Sequence, residues 1–148
     1  MTVTFECRTR SSRPPAELFD LARDIGVHTA SQAAAGEQAV GGVVTGLIGP
    51  GEEVTWRARH FGLPFSLTSR VTAFDAPHRF VDEQVRGPFA RFHHEHLFEA
   101  DGAGCLMTDR IEFTAPLGPL GRLVERTVLA PHLRRLIEER GRFLAGSG

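Results

Sequence analysis

The chain has no lysine, no tyrosine and no asparagine, and all 17 of its basic residues are arginine. Without lysine there is no Schiff-base amine and no phosphate-loop lysine; without tyrosine there is no phenolic acid; without asparagine there is no N-glycosylation acceptor. The bias matches codon usage in a GC-rich genome and implies no mechanism. Cysteine is scarce: Cys7 and Cys105 form no CxxC pair and no disulfide framework, and both read as small buried hydrophobes. No apolar run approaches the ~20 residues of a membrane span. The opening MTVTFECRTR lacks the charged-then-apolar order of a signal peptide, so a soluble, cytoplasmic protein is expected. A net charge of −1 leaves no basic field for nucleic acid. The 148 residues make one domain, 1–148, large enough to bury a core without staples.

What is present is a clear division of the chain. Residues 2–10 alternate, with Val3, Phe5 and Cys7 on one face, as a half-buried strand does. The Pro14-Pro15 pair then stops the strand and starts a short helix bearing Leu18, Leu21 and Ala22. A second helical segment over 27–35 puts His28 and Ser31 on one stripe, read either as facing a cavity mouth or as a solvated face. Strands follow at about 38–47, 52–61, 65–75, 79–86, 90–99 and 105–114, separated by glycine and proline turns that include Gly62-Leu63-Pro64 and Asp101-Gly102. The glycines of GEQAVGGVVTGLIGPG match neither dinucleotide nor phosphate-loop spacing and read as bulges in a curved strand. After Pro116 the pattern is helical to about Leu144. Leu120, Val124 and Val128 hold one phase, Leu129, Leu133, Leu136, Ile137 and Leu144 another, with Pro131 between, which predicts one long bent helix with an apolar stripe toward the sheet. The closing Gly146-Ser147-Gly148 reads as a frayed tail.

The densest chemistry lies in GPFARFHHEHLFE, residues 87–99. On a strand Phe92, His94, His96 and Phe98 share one face, while His93 goes to the other, toward solvent. In the hairpin partner Met107, Asp109, Ile111 and Phe113 form the buried face, which sets Asp109 on an apolar wall where an unpaired carboxylate is costly. An imidazolium of His94 or His96 is the expected partner, raising the histidine's pKa and lowering the aspartate's. Three readings stand: a polar cluster holding two strands in register, the polar end of a ligand cavity, and an acid/base dyad. The strand over 52–61 turns Val54, Trp56, Ala58 and His60 inward; the parity of 79–86 is ambiguous, since alternation alone buries Val81 and Val85. No serine sits in a GxSxG elbow, and no hydrolase triad follows.

One strand, two short helices, six strands and a long helix predict an α+β fold, a curved antiparallel sheet of about seven strands wrapped around a long C-terminal helix. Order and length, with the stretches Val54–Gly62, Phe80–Gln84, Gly87-Pro88-Phe89, His94–Phe98 and Met107-Thr108-Asp109, resemble the START/birch-pollen-allergen (SRPBCC, helix-grip) superfamily in its bacterial polyketide-cyclase-like branch. The resemblance covers essentially the whole chain. It implies a hydrophobic cavity between sheet and helix, gated by the two short helices, in which members bind lipids, sterols, polyketides, quinones or plant hormones, and some catalyse cyclisation, dehydration or hydrolysis. It also turns Phe80 and Gln84 inward.

Fold does not fix function, so the site residues carry the reading. The first expectation is binding of a small hydrophobic molecule, with Trp56, Phe65, Phe89 and Phe92 as apolar wall, His94, His96 and Asp109 as polar contacts, and His28, His60 and Gln84 completing the lining. The alternative is a cyclase or dehydratase using His94 or His96 as general base, oriented by Asp109. A third is a dimerising accessory protein whose cavity is filled by its own side chains. No cofactor is expected. No metal is expected either: His94 and His96 lack a third ligand that the resemblance supports in Asp109 or His60, and HEHLF fails HExxH at Phe98.

Overall fold

The computed structural model describes residues 2–116 and 118–146; the tail expected at Ser147-Gly148 lies outside the described residues. The elements are β1 (Val3–Ser11), α1 (Pro15–Ala22), α2 (Ile25–Ser31), β2 (Gln38–Gly42), β3 (Glu53–His60), β4 (Leu63–Asp75), β5 (Arg79–Arg86), β6 (Arg91–Asp101), β7 (Gly104–Thr114), α3 (Gly118–Val124) and α4 (Ala130–Ala145). A short 3₁₀ turn, Ala33–Ala35, follows α2. The strands form one curved antiparallel sheet in the order β1-β7-β6-β5-β4-β3-β2. This is the expected α+β helix-grip arrangement.

Local chemistry explains the elements. Pro14 and Pro15 open α1, where a missing N–H costs nothing, and the Asp24 carboxylate caps α2 by accepting from the Val27 N–H at 3.1 Å. β2 is shorter than expected. It bulges between Ala39 and Gly41, and at Gly42 (φ 69°) a Cβ would lie 2.2 Å from the Glu53 carbonyl oxygen. The β3–β4 turn also falls earlier than the sequence predicts. His60 pairs with Leu63, leaving Phe61 (φ 55°) and Gly62 (φ 75°) as a two-residue hairpin of the positive-φ kind. Pro64 is tolerated in β4 because pairing with β5 begins only at Thr68, so that stretch has a single neighbour.

The long helix is continuous from Gly118 to Ala145, but a wide π turn over Glu125–Leu129 separates α3 from α4. Pro131 follows that turn directly; lacking an N–H, it cannot close a normal helical bond there, and the wide turn absorbs the defect. The lower phase of the stripe packs as expected: Leu129, Leu133 and Ile137 meet Phe5, Cys7, Ile111 and Phe113 of β1 and β7. Gly141 brings α4 close to β1, since a Cβ there would sit 2.4 Å from Thr9 Oγ1. The upper phase does not pack: Leu120, Val124 and Val128 are exposed. A second core joins Leu18 and Phe19 of α1 to Phe80, Phe98 and Met107. No described helix is long and apolar enough to cross a membrane.

Candidate functional site

Between the sheet's concave face and α4 lies a cavity of about 550 Å³, within the range of small-molecule sites and not filled by the chain's own side chains. Its walls are largely apolar: Trp56 and Ala58 from β3, Phe65 and Leu67 from β4, Phe89 and Phe92 around the start of β6, Leu133 and Ile137 from α4. The polar lining falls in patches: Asp82 of β5, His94 and His96 of β6, and Arg140 of α4 converge at one buried end, while His28, Glu37, His60 and His132 lie elsewhere on the wall. The exposed lining residues Phe61, Pro88, Pro116 and Val124 mark the opposite, solvent-facing rim.

At the buried end, strand register creates the constellation. Asp82 lies opposite His94 and Phe80 opposite His96 across β5–β6, while His94 faces Ile111 and His96 faces Asp109 across β6–β7. The rings of Phe80, His96 and His94 stack in sequence, with centroids 4.0 and 3.7 Å apart. His94 Nε2 donates to Asp109 Oδ1 at 2.8 Å, and His96 Nε2 to Asp82 Oδ2 at 2.6 Å. His96 Nδ1 stands 3.4 Å from Asp109 Oδ1. Arg140 donates to Asp109 Oδ1 at 3.3 Å and to the Ala22 carbonyl at the end of α1 at 3.1 Å.

These contacts decide the protonation states. Burial opposes ionisation of Asp109, but the hydrogen bond from His94, the nearby His96 and the charge of Arg140 outweigh it and hold the carboxyl well below the usual range. Burial likewise opposes ionisation of Asp82, yet the His96 hydrogen bond and the nearby His96, His94 and Arg140 charges bring it down to about 2. His94 departs from expectation. Burial, then the positive charge of His96, push it down to about 4 against the pull of the two aspartates. Because ionised Asp109 only accepts, a neutral His94 carries its proton on Nε2 and keeps a lone pair on Nδ1.

At the rim, His60 Nδ1 and His132 Nε2 are 3.0 Å apart, and His132 Nδ1 meets Arg135 at 3.1 Å. Burial pushes both histidines down; for His132 the neighbouring His60 and Arg135 charges add to it. Phe61 packs its ring 4.6 Å from His132. Further round, His28 pairs with Glu37 at 2.5 Å and lies over Trp56 with ring centroids 4.3 Å apart.

Of the candidate residues, Trp56, His60, Phe65, Phe89, Phe92, His94, His96 and His28 lie on the cavity wall. Two site residues need correction. Asp109 is fully buried behind His94 and does not line the cavity, so it acts on His94 and Arg140 instead of touching a ligand. Gln84 is outside the lining: its amide donates to the Phe89 carbonyl at 2.8 Å and accepts from the Phe89 N–H at 3.2 Å, bracing the β5–β6 loop. Gly87 makes room for it, since a Cβ there would lie 2.4 Å from Gln84 Oε1. His93 is only half-buried on the outer face, but its Nδ1 is enclosed and unpartnered. Asp82 and Arg140 escaped the sequence reading. The first fell in the strand of ambiguous parity; the second sits in LIEERGRF, a charge run that reads as a solvated face.

Comparisons with known proteins agree with this fold. A family model described as "Polyketide cyclase / dehydrase and lipid transport" matches residues 2–145. Among solved structures, a protein from Thermus thermophilus, TTHA0849, is similar with a TM-score of 0.76 at 17% identity, covering 98% of this chain and 94% of that one. Norcoclaurine synthase from Thalictrum flavum, in complex with dopamine and hydroxybenzaldehyde, gives 0.67 at 10% identity, covering 97% and 87%. A major latex-like protein from Panax ginseng gives 0.64 at 14%, covering 99% and 97%. At such identities the likeness shows the fold alone. No curated protein is a significant match.

Proposed function

The chain belongs to the polyketide cyclase / dehydrase and lipid transport family, and from that premise we propose that it binds a small, mostly apolar molecule whose single polar end is a hydroxyl. The observation that carries this reading is a largely apolar wall with four polar side chains, Asp82, His94, His96 and Arg140, converging at its buried end. Arg140 already serves Asp109 and the Ala22 carbonyl, and Asp82 is engaged by His96. The Nδ1 lone pair of neutral His94 and the Asp82 oxygen not bonded to His96 are acceptors with spare capacity, which favours a hydroxyl donor over a carboxylate.

The single tryptophan, Trp56, lines the cavity and reports on its contents. Titration with anilinonaphthalene sulfonate should change Trp56 fluorescence saturably at one probe per chain, and Leu67→Trp, which fills the space, should abolish probe binding. Native mass spectrometry of the purified protein should show a co-purified apolar ligand. A non-saturable response would count against an enclosed site.

A second reading, general-base catalysis in a cyclisation or dehydration, is favoured by one observation. His94 is deprotonated at neutral pH and oriented by a buried carboxylate, which leaves Nδ1 free to take a proton, although a pKa of about 4 makes it a weak base. In that case His94 takes the ligand's proton at Nδ1 and Asp109 stabilises the imidazolium that forms.

A further inference from the structure

We infer that Asp82, His94 and His96 form a binding site for one divalent transition-metal ion at the buried end of the cavity, with a coordination position open toward the bound molecule. One ligand atom from each of the three lies within 4.8 Å of the others. Metal–ligand bonds of ~2.0–2.2 Å place donor atoms about 3–4 Å apart, so small side-chain rotations close the set. The backbone supplies the arrangement: Asp82 and His94 are register partners on β5 and β6, and His96, two residues on, shares their face.

The donor set selects the class of ion. Two imidazoles and one carboxylate suit zinc or ferrous iron and leave positions free, whereas magnesium and calcium take all-oxygen shells. Supporting contacts of the kind that tune metal sites are in place. Asp109 accepts from His94 Nε2, directing the remaining nitrogen as the ligand, and the ring of His96 is clamped between Phe80 and His94. Two carboxylates, Asp82 and Asp109, lie within the cluster, and Asp109 Oδ2 and His96 Nδ1 are enclosed without a hydrogen-bond partner. The ion would take the place of the hydrogen bond between His96 Nε2 and Asp82 Oδ2.

The ion would take the His94 Nδ1 lone pair assigned above to the ligand's hydroxyl, so in the metal-loaded protein that hydroxyl would meet the ion's open position instead; the site needs no organic ligand, and the ion alone tests it. The full chain, freed of metal by chelator and dialysis, is titrated with Zn²⁺ by calorimetry and with Co²⁺ by visible absorption. The expected result is one ion per chain. Asp82→Asn, which keeps the volume, and His94→Ala should each weaken binding at least about tenfold, while His93→Ala, on the outer face, should match the parent chain. Melting curves without metal establish that each variant is folded, and if His94→Ala is not, Asp82→Asn carries the test. No binding below millimolar ion would overturn the proposal. So would binding that survives Asp82→Asn and disappears in His132→Ala, which would move the ion to the rim pair His60 and His132.

Discussion

The cavity carries a histidine pair at each end, and their surroundings make them different chemical objects. His60 and His132 at the rim touch each other at 3.0 Å with only Arg135 as a further side-chain hydrogen-bond partner among the described residues, and both are partly open to water. His94 and His96 are buried, stacked, and tied to Asp109, Asp82 and, through Asp109, to Arg140. In both pairs burial pushes pKa values down where a shift occurs, but only the inner pair has carboxylates that fix which nitrogen bears the proton. Sequence shows two kinds of histidine neighbourhood only after the strands are paired. Position along a cavity, more than residue type, assigns the role.

The sharpest way to break this contrast is to remove the buried counter-ion. Asp109→Asn strands Arg140 and deprives His94 of its carboxylate, and should cost about 3–5 kcal/mol of stability, the usual penalty for an orphaned buried charge. His132→Ala at the rim should cost no more than ~1 kcal/mol. Urea midpoints at constant m-value make the comparison.

Acid is the second lever. His94 binds its proton less firmly when folded, at about 4, than when unfolded, at its ordinary value near 6.5. The unfolded chain therefore takes up the proton first. Stability should be full above about pH 6.5 and fall toward pH 4 by up to about 3 kcal/mol, at about 1.4 kcal/mol per unit. The depressed Asp82 and Asp109 act with the same sign at lower pH, as their carboxylates protonate. His94→Gln should flatten the slope between pH 6.5 and 4, whereas His132→Ala should leave most of it.

The smallest effect is at the rim hairpin. Phe61 holds φ 55° with its ring 56% exposed and packed on His132. Phe61→Gly relieves the backbone but loses the ring contact, and stability should change by less than about 1 kcal/mol. The same change opens the rim, so stopped-flow association of an apolar probe should become faster while its final affinity changes little.

How much was legible depends on the strand. In β6 Phe92 and Phe98 are in phase with His94 and His96, and in β7 Met107, Ile111 and Phe113 are in phase with Asp109, so the inward set of His94, His96 and Asp109 could be read from these flanking apolar residues. In β5 Phe80 and Val81 are both buried beside a register shift between Val71 and Ala73 of β4, so alternation fails and Asp82 is invisible. Arg140 is a long-range product: its partners, Asp109 and Ala22, lie 31 and 118 residues away in sequence. The expected rise in the His94 pKa failed because a pairwise view counts the aspartate and omits burial and the charge of the adjacent histidine. On the helix, Leu120, Val124 and Val128 follow the right period, yet the chain itself offers them no cover.

The central claim is that His94 receives a polar end of an otherwise apolar ligand. The most direct measurement is calorimetric binding of 2-naphthol and naphthalene, alike in shape and differing by one hydroxyl, to the parent chain and to His94→Ala. Naphthol should bind at least about tenfold tighter than naphthalene to the parent, roughly the 1.4 kcal/mol of one hydrogen bond to a buried acceptor, and this preference should vanish in the variant. Equal affinities in the parent chain, or a preference unchanged by His94→Ala, would contradict it.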